Sequence, residues 1–236
     1  MVRVTPVTHA GSVPTQDVLT PPPGGPSERG RGLLRRNRQA AREAVIGALL
    51  VVAVAAAGVY VSIHPAATVA DRWLLDVVPA TGHGWSTAVI ALRYPAVVVV
   101  GSVIAAVLTY GRDRPRAWAC LLGPSLALVS CELVVKPLVG RTLGGTLSYP
   151  SGSTVAVVGL AVAAVLATPA RRRVVTALVA TVVSLWMARA VVALQWHLPT
   201  DALAGLAYGT GVMLLTDAVT WGVAVRLPRW RTSSSR

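Results

Sequence analysis

The sequence predicts an all-α protein: an integral membrane bundle of six transmembrane helices. Three observations carry that expectation. Of the 236 residues, 54% are hydrophobic and only 13% are charged, a balance outside that of soluble domains. The apolar residues fall into six runs, most of which approach or exceed the roughly 20 residues a spanning helix needs. The arginines gather at the tail and in every second connection between runs, where the positive-inside rule puts them. The formal net charge of +13 therefore reads as topology, and no nucleic-acid partner is expected.

Residues 1–42 read as a disordered basic tail. Its stretch Thr20-Pro21-Pro22-Pro23-Gly24-Gly25-Pro26 cannot hold a helix, and the tail has too few apolar residues to bury. It does not resemble a secretory signal, because the run that follows is too long for an h-region and has no cleavage site. Arg29, Arg31, Arg35, Arg36, Arg38 and Arg42 lead into the first run. They either touch anionic lipid at the cytoplasmic face, at about 1 kcal/mol each, or only fix topology. The membrane domain is expected over residues 43–225, with runs near 43–63, 87–110, 117–138, 154–168, 174–194 and 202–225. The fourth run is the shortest and recruits Arg171, Arg172 and Arg173 as snorkelling ends. A second basic tail occupies 226–236.

Arginine counting sets the orientation. The first tail, the loop Gly111–Arg116, the loop Arg171–Arg173 and the end Arg226–Arg231 share one side, which is then cytoplasmic. Both termini fall there, in a multi-pass protein of the plasma membrane. The outer side receives 64–86, 139–153 and 195–201, with Trp73, Trp85, Tyr149 and Trp196 as interface aromatics. Cys120 and Cys131 share one run, where a helix holds them roughly 16 Å apart, too far to bridge. No pattern specifies an oligomeric state.

The outer side should be poor in cations, yet it carries Arg141 and the only lysine, Lys136. Glu132 precedes Lys136 by one helical turn, an i,i+4 acid-to-base pair. Ionisable groups at membrane depth are expensive and usually functional. Tyr149-Pro150-Ser151-Gly152-Ser153-Thr154 follows. Pro150 and Gly152 break a helix, and Ser151 or Ser153 is a natural N-cap for the next one. A helix start of this kind offers N–H groups and a positive dipole end to an anion. The last outer loop, Gln195-Trp196-His197-Leu198-Pro199-Thr200-Asp201, sets a histidine and a carboxylate four residues apart. That spacing lets Asp201 reach the imidazole and fix its tautomer, and imidazole serves as nucleophile or as acid and base. No metal or cofactor is expected: acidic ligands do not cluster, and His9, His64, His83 and His197 lie far apart.

The segment from Lys136 to Asp201 resembles the type 2 phosphatidic acid phosphatase superfamily of membrane lipid phosphatases. That family carries K-x6-R-P, then P-S-G-H, then S-R-x5-H-x3-D. Lys136 matches the first lysine, Pro150-Ser151-Gly152 the second motif, and His197-Leu198-Pro199-Thr200-Asp201 the end of the third. The resemblance implies His197 as the nucleophile that becomes a phosphohistidine, with Asp201 as its partner. It implies Lys136, Ser151 and Gly152 as phosphate ligands. There are departures. Ser153 stands where the family has its general-acid histidine. The first motif's R-P falls on Leu143-Gly144 and the third motif's S-R on Ala190-Val191. Arg141 and Arg189 each lie two positions early and reach the phosphate only from displaced positions; Arg189 reads equally as a structural charge paired with Glu132 or Asp217.

The expected activity is hydrolysis of a lipid phosphate, a polyprenyl diphosphate or a phosphate monoester, at the outer face. Losing a positioned general acid costs about 10²–10⁴-fold. An alkoxide leaving a monoester needs that proton badly. A phosphate leaving a diphosphate needs it less, because its second pKa is about 6. A diphosphate preference follows. His83, in the outer loop 64–86, is a candidate replacement acid. Two rival readings stand beside this one: a catalytically impaired member that binds lipid phosphate or a partner without turnover, and a transporter or channel, for which Arg93-Tyr94-Pro95 inside the second run is the sign.

Overall fold

The computed structural model describes residues 28–77 and 88–227. The Thr20–Pro26 stretch, His9, His83, Trp85, Arg229 and Arg231 lie outside the described residues. By its contacts the chain divides between Arg36 and Asn37; the bundle described below belongs to the second unit.

Helix α1 spans Glu28–Ile63. The expectation of disordered chain through residue 42 is corrected, because the helix begins well inside the basic segment. Residues 33–42 are almost all Leu, Arg, Gln and Ala, strong helix formers, and Gln39 Nε2 donates to Glu43 Oε1 one turn on at 2.7 Å. Short helix α2 covers Val69–Val77. A reciprocal capping box starts it: Thr68 N donates to Asp71 Oδ2 at 2.9 Å, and Asp71 N donates to Thr68 Oγ1 at 3.1 Å.

The second apolar run is not one uninterrupted helix. A 3-10 turn at Ala91–Arg93 ends at Tyr94, and α3 begins afresh over Pro95–Tyr110. A residue before proline is pushed out of the α region, and Tyr94 takes φ −60°, ψ 135°. Pro95 then sits in the first turn of α3, where its missing N–H is harmless.

Helix α4 runs Arg114–Val139. Asp113 caps it, accepting from Arg116 N at 3.0 Å. A π-helical turn at Cys131–Val135 interrupts it, with Lys136 N bonded to the carbonyl of Cys131. Pro137 lacks the N–H that Leu133 would otherwise receive, which favours the wider turn. Gly140, at φ 68°, closes the helix in the left-handed region. A two-stranded hairpin follows, β1 Thr142–Leu143 against β2 Thr146–Leu147. Helices α5 Gly152–Ala167, α6 Arg173–Ala193 and α7 Pro199–Arg226 complete the chain.

Helix α5 is the axis of the bundle, packed against α3, α4, α6 and α7. Every residue from Gly152 to Gly159 is buried. Two glycines one turn apart on α7 allow the approach: a Cβ on Gly205 would lie 2.8 Å from the Ser151 carbonyl oxygen, and one on Gly209 would lie 3.1 Å from that of Val155. Small residues in this spacing let apolar helices meet backbone to backbone. The outer faces carry Val99, Val103 and Val107 on α3 and Val175, Leu178 and Val182 on α6, all exposed. Stripes of this size suit lipid rather than water. Among the described residues, four helices are long and apolar enough to cross a membrane (Gly30–Ile63, Arg114–Val139, Ala170–Ala193 and Pro199–Arg226). The other two apolar helices, α3 and α5, have 16 residues each, roughly 24 Å at 1.5 Å per residue. The protein is thus an all-α membrane protein. Tyr149, expected at the interface, is instead 1% exposed and donates its hydroxyl to the Val54 carbonyl at 2.8 Å. Trp73 and Trp196 are exposed. Both cysteines are free and buried.

Candidate active site

Three connections meet at one end of the bundle: the segment from Pro65 into α2, the hairpin region 140–151, and the loop 194–198 between α6 and α7. Arg141 ties them together. Its Nε donates to the Pro65 carbonyl at 3.2 Å. Nη1 donates to Thr200 Oγ1 at 2.9 Å and to Asp201 Oδ1 at 2.7 Å. Nη2 donates to the Ala66 carbonyl at 3.1 Å and to Asp71 Oδ2 at 3.3 Å. A guanidinium has five N–H donors, and these five contacts engage them all. The side chain is fully buried. Arg141 was expected to reach a phosphate; here it is a buried tie between two carboxylates. Asp71 also accepts from Thr200 N at 2.8 Å, fixing the start of α7 to the cap of α2.

The start of α5 lies in the middle of these connections. Ser151, not Ser153, is its N-cap, and its Oγ accepts from Thr154 N at 3.5 Å and Thr154 Oγ1 at 3.1 Å. Ser151 N donates to the Asp201 carbonyl at 2.9 Å, which holds α5 and α7 in register. Lys136 comes to this helix start through the π turn. Its Nζ would stand 3.4 Å from a Cβ built on Gly152, and the Glu132 carboxylate would collide with that Cβ. A side chain at this position would have to displace the Glu132 carboxylate. Lys136 Nζ pairs with Glu132 Oε1 at 2.8 Å, as the i,i+4 spacing predicted.

His197 is presented by the end of α6. Trp196 N and His197 N both donate to the Val191 carbonyl, at 3.0 and 3.3 Å, and Gln195 takes φ 58° to make the turn. The ring's Nδ1 lies 2.9 Å from the Ser148 carbonyl. A carbonyl only accepts, so Nδ1 carries the proton and Nε2 keeps its lone pair. The expected direct pairing with Asp201 is looser than the spacing implied: Nδ1 to Oδ2 is 3.9 Å. Asp201 Oδ2 accepts instead from Leu198 N at 3.1 Å. Burial, then the positive charges of Lys136 and Arg93, push the imidazole down to about 4 against an opposing hydrogen bond to Ser148. The ring is therefore neutral at physiological pH.

Arg93 is a member of this cluster that the motif reading left out. The break at Tyr94-Pro95 turns it inward. Its Nη1 lies 3.4 Å from Ser153 Oγ, and its guanidinium carbon lies 4.7 Å from the centre of the Trp196 ring. The signals for the missed residues were local ones: Arg-Tyr-Pro for Arg93, and the T-x-x-D box at Thr68 for Asp71. Arg189 shows the opposite outcome. It is exposed on α6, while Ala190 and Val191, where the family has S-R, are buried at 0% exposure. Of its two suggested partners, Glu132 pairs with Lys136, and Asp217 with Arg116 Nη2 at 3.4 Å.

The structure thus gathers Lys136, Ser151, Gly152, Ser153, His197 and Asp201 around one helix start. It buries Arg141 beneath them and leaves Arg189 on an outer face. A neutral imidazole with a free Nε2, beside cations and helix-start N–H groups, can attack a phosphorus and hold its oxygens. The family model described as the PAP2 superfamily matches residues 91–223. No curated protein and no solved structure matches.

Proposed function

The chain belongs to the PAP2 superfamily, and from that premise we propose that it is a lipid phosphatase of the phosphoric ester or diphosphate hydrolase type. One observation carries the reading: the Ser148 carbonyl at 2.9 Å pins His197 Nδ1 as the proton-bearing nitrogen and leaves Nε2 as a nucleophile beside Lys136. The lone pair of Nε2 attacks phosphorus and the bridging P–O bond breaks toward the leaving oxygen, giving a phosphohistidine. Water then attacks phosphorus. Inorganic phosphate departs carrying both water protons, and the neutral imidazole is restored.

Each residue has a role in that sequence. Lys136 and the N–H groups of Gly152 and Ser153 neutralise the phosphoryl oxygens. Ser151 holds the helix start in place. Asp201 and Arg141 act one layer back, fixing the loop that presents His197. All six apolar helices cross the bilayer, both termini are cytoplasmic, and the site faces outward. The arginines of 111–116 and 171–173, at the other end of the bundle, support this orientation.

The leaving group decides the substrate. With a diphosphate, a neutral imidazole and a trianion give a phosphohistidine and a lipid monophosphate dianion, and no proton is needed. With a monoester the same step expels an alkoxide, which Ser153 is a poor acid to protonate. A polyprenyl diphosphate fits best. Phosphate release by the purified chain in detergent tests the reading, with a polyprenyl diphosphate and phosphatidic acid as substrates. Release from the diphosphate that disappears in His197→Ala is the expected result. Equal release by His197→Ala and the parent would overturn it. Ser153 favours one alternative, a lipid-phosphate binder without turnover. That alternative predicts tight binding and no release in the parent, with release gained in Ser153→His.

A further inference from the structure

The charges around the helix start do not yet suit a polyanion. Lys136 is matched by Glu132 at 2.8 Å. Arg141 is more than matched, by Asp201 at 2.7 Å and Asp71 at 3.3 Å. Those five groups together carry a net negative charge, which would repel a diphosphate. The cluster's remaining cation is Arg93. Among the described residues no carboxylate pairs with it. Its polar contact is Nη1 to Ser153 Oγ at 3.4 Å, and its Nε is buried without a hydrogen-bond partner. The guanidinium carbon lies 4.7 Å from the centre of the ring of Trp196, the residue before His197. A cation–π contact of this kind holds an arginine in place while leaving N–H donors for an anion.

We propose that Arg93 is a catalytic residue of this chain: it binds the leaving phosphate of a lipid diphosphate and stabilises the departing oxygen by charge, at the place where Ser153 offers no acid. The proposal rests on the phosphatase reading above. When His197 Nε2 bonds to the terminal phosphorus, the electron pair of the broken P–O bond goes to the bridging oxygen. That oxygen leaves on the lipid monophosphate as a dianion. Arg93 compensates its new charge without transferring a proton. A cation does this well only when the leaving group is stable as an anion, so the same residue that permits diphosphate cleavage does little for a monoester. Arg93 comes from the turn before α3, outside the three motif segments, and it faces the site because Tyr94-Pro95 ends that turn.

The test uses the full chain in detergent and two readouts. The first is calorimetric binding of inorganic diphosphate, which needs no turnover. Arg93→Gln should bind about tenfold or more weakly, the loss of a hydrogen bond to a charged group, and Arg93→Lys should recover part of that affinity. The second is turnover of a polyprenyl diphosphate. Arg93→Gln should lose about 10²–10³-fold in kcat, as for removal of a donor to a developing anion, and added guanidinium ion should restore part of it. Diphosphate affinity unchanged in Arg93→Gln overturns the proposal. So does a loss that neither lysine nor guanidinium relieves, which would mark a purely structural arginine. His197→Ala separates the two claims: full turnover there sinks the histidine mechanism, while the binding readout still decides Arg93.

Discussion

At the scale of single residues, the site depends on which nitrogen of His197 holds the proton and on how readily the ring takes a second one. In the proposed mechanism neutral imidazole is the reactive form. Burial and two nearby cations disfavour the charged ring, so its titration is displaced to about 4 from the usual value near 6.5. The sign is clear: the ring should stay neutral as pH falls through 6 and take up its proton only on approaching about 4. A direct NMR titration of the His197 ring checks this, and a midpoint near 6.5 would contradict it. In the same mechanism Ser153→His supplies an acid to the leaving oxygen. It should raise monoester turnover by about 10²-fold or more and diphosphate turnover far less, read as the ratio of the two rates. Arg141 makes a different prediction. Removing a cation that pairs two buried carboxylates strands their charge, at about 3–5 kcal/mol. Arg141→Ala should therefore lower the thermal midpoint in detergent.

At the scale of elements, two devices aim the site. The π turn at Cys131–Val135 shifts the helical phase just before Lys136, and Pro137 helps to hold it there. Pro137→Ala restores an N–H and should let α4 relax toward regular helix. Lys136 would then turn away from Gly152, raising KM for the diphosphate with little change in the fold seen by circular dichroism. The second device is the contact of α5 with α7 at Gly205. A Cβ there meets the Ser151 carbonyl oxygen at 2.8 Å and Thr154 Cβ at 2.9 Å, and both are rigid. Gly205→Val must push α5 from α7, breaking the Ser151 N to Asp201 carbonyl bond. Loss of both activity and thermal stability is expected, and a variant with parental values for both would show that the helices can part without harm.

At the scale of the whole molecule, the bundle presents apolar stripes around its sides and gathers its functional polar groups at one end. That asymmetry makes orientation testable. Thr146→Cys, in the exposed hairpin, should react with an impermeant thiol reagent on intact cells. Arg171→Cys, at the opposite end, should react only after permeabilisation. The reverse pattern would invert the topology. The buried Arg116–Asp217 pair at 3.4 Å belongs to that opposite end and contributes to packing there rather than to the site.

Much of this was legible along the chain because hydrophobic run length and arginine placement are one-dimensional properties. They gave an all-α membrane protein, while the resemblance to its family rested on the ordered motifs Lys136, Pro150-Ser151-Gly152 and His197 to Asp201. The Glu132–Lys136 pair and the cap before Thr154 were readable for the same reason, since both depend on neighbours within one helical turn. What the sequence by itself could not determine is which long side chains face one another. Arg141 and Arg189 were equally placed in sequence, two positions from the family's arginines. Only the fold buries the first between Asp71 and Asp201 and turns the second outward. Arg93 lies 60 residues before Ser153, the residue its Nη1 reaches, and no spacing rule links them. A helix fixes contacts three and four residues apart, whereas a site assembled from three loops and a helix break is settled by packing.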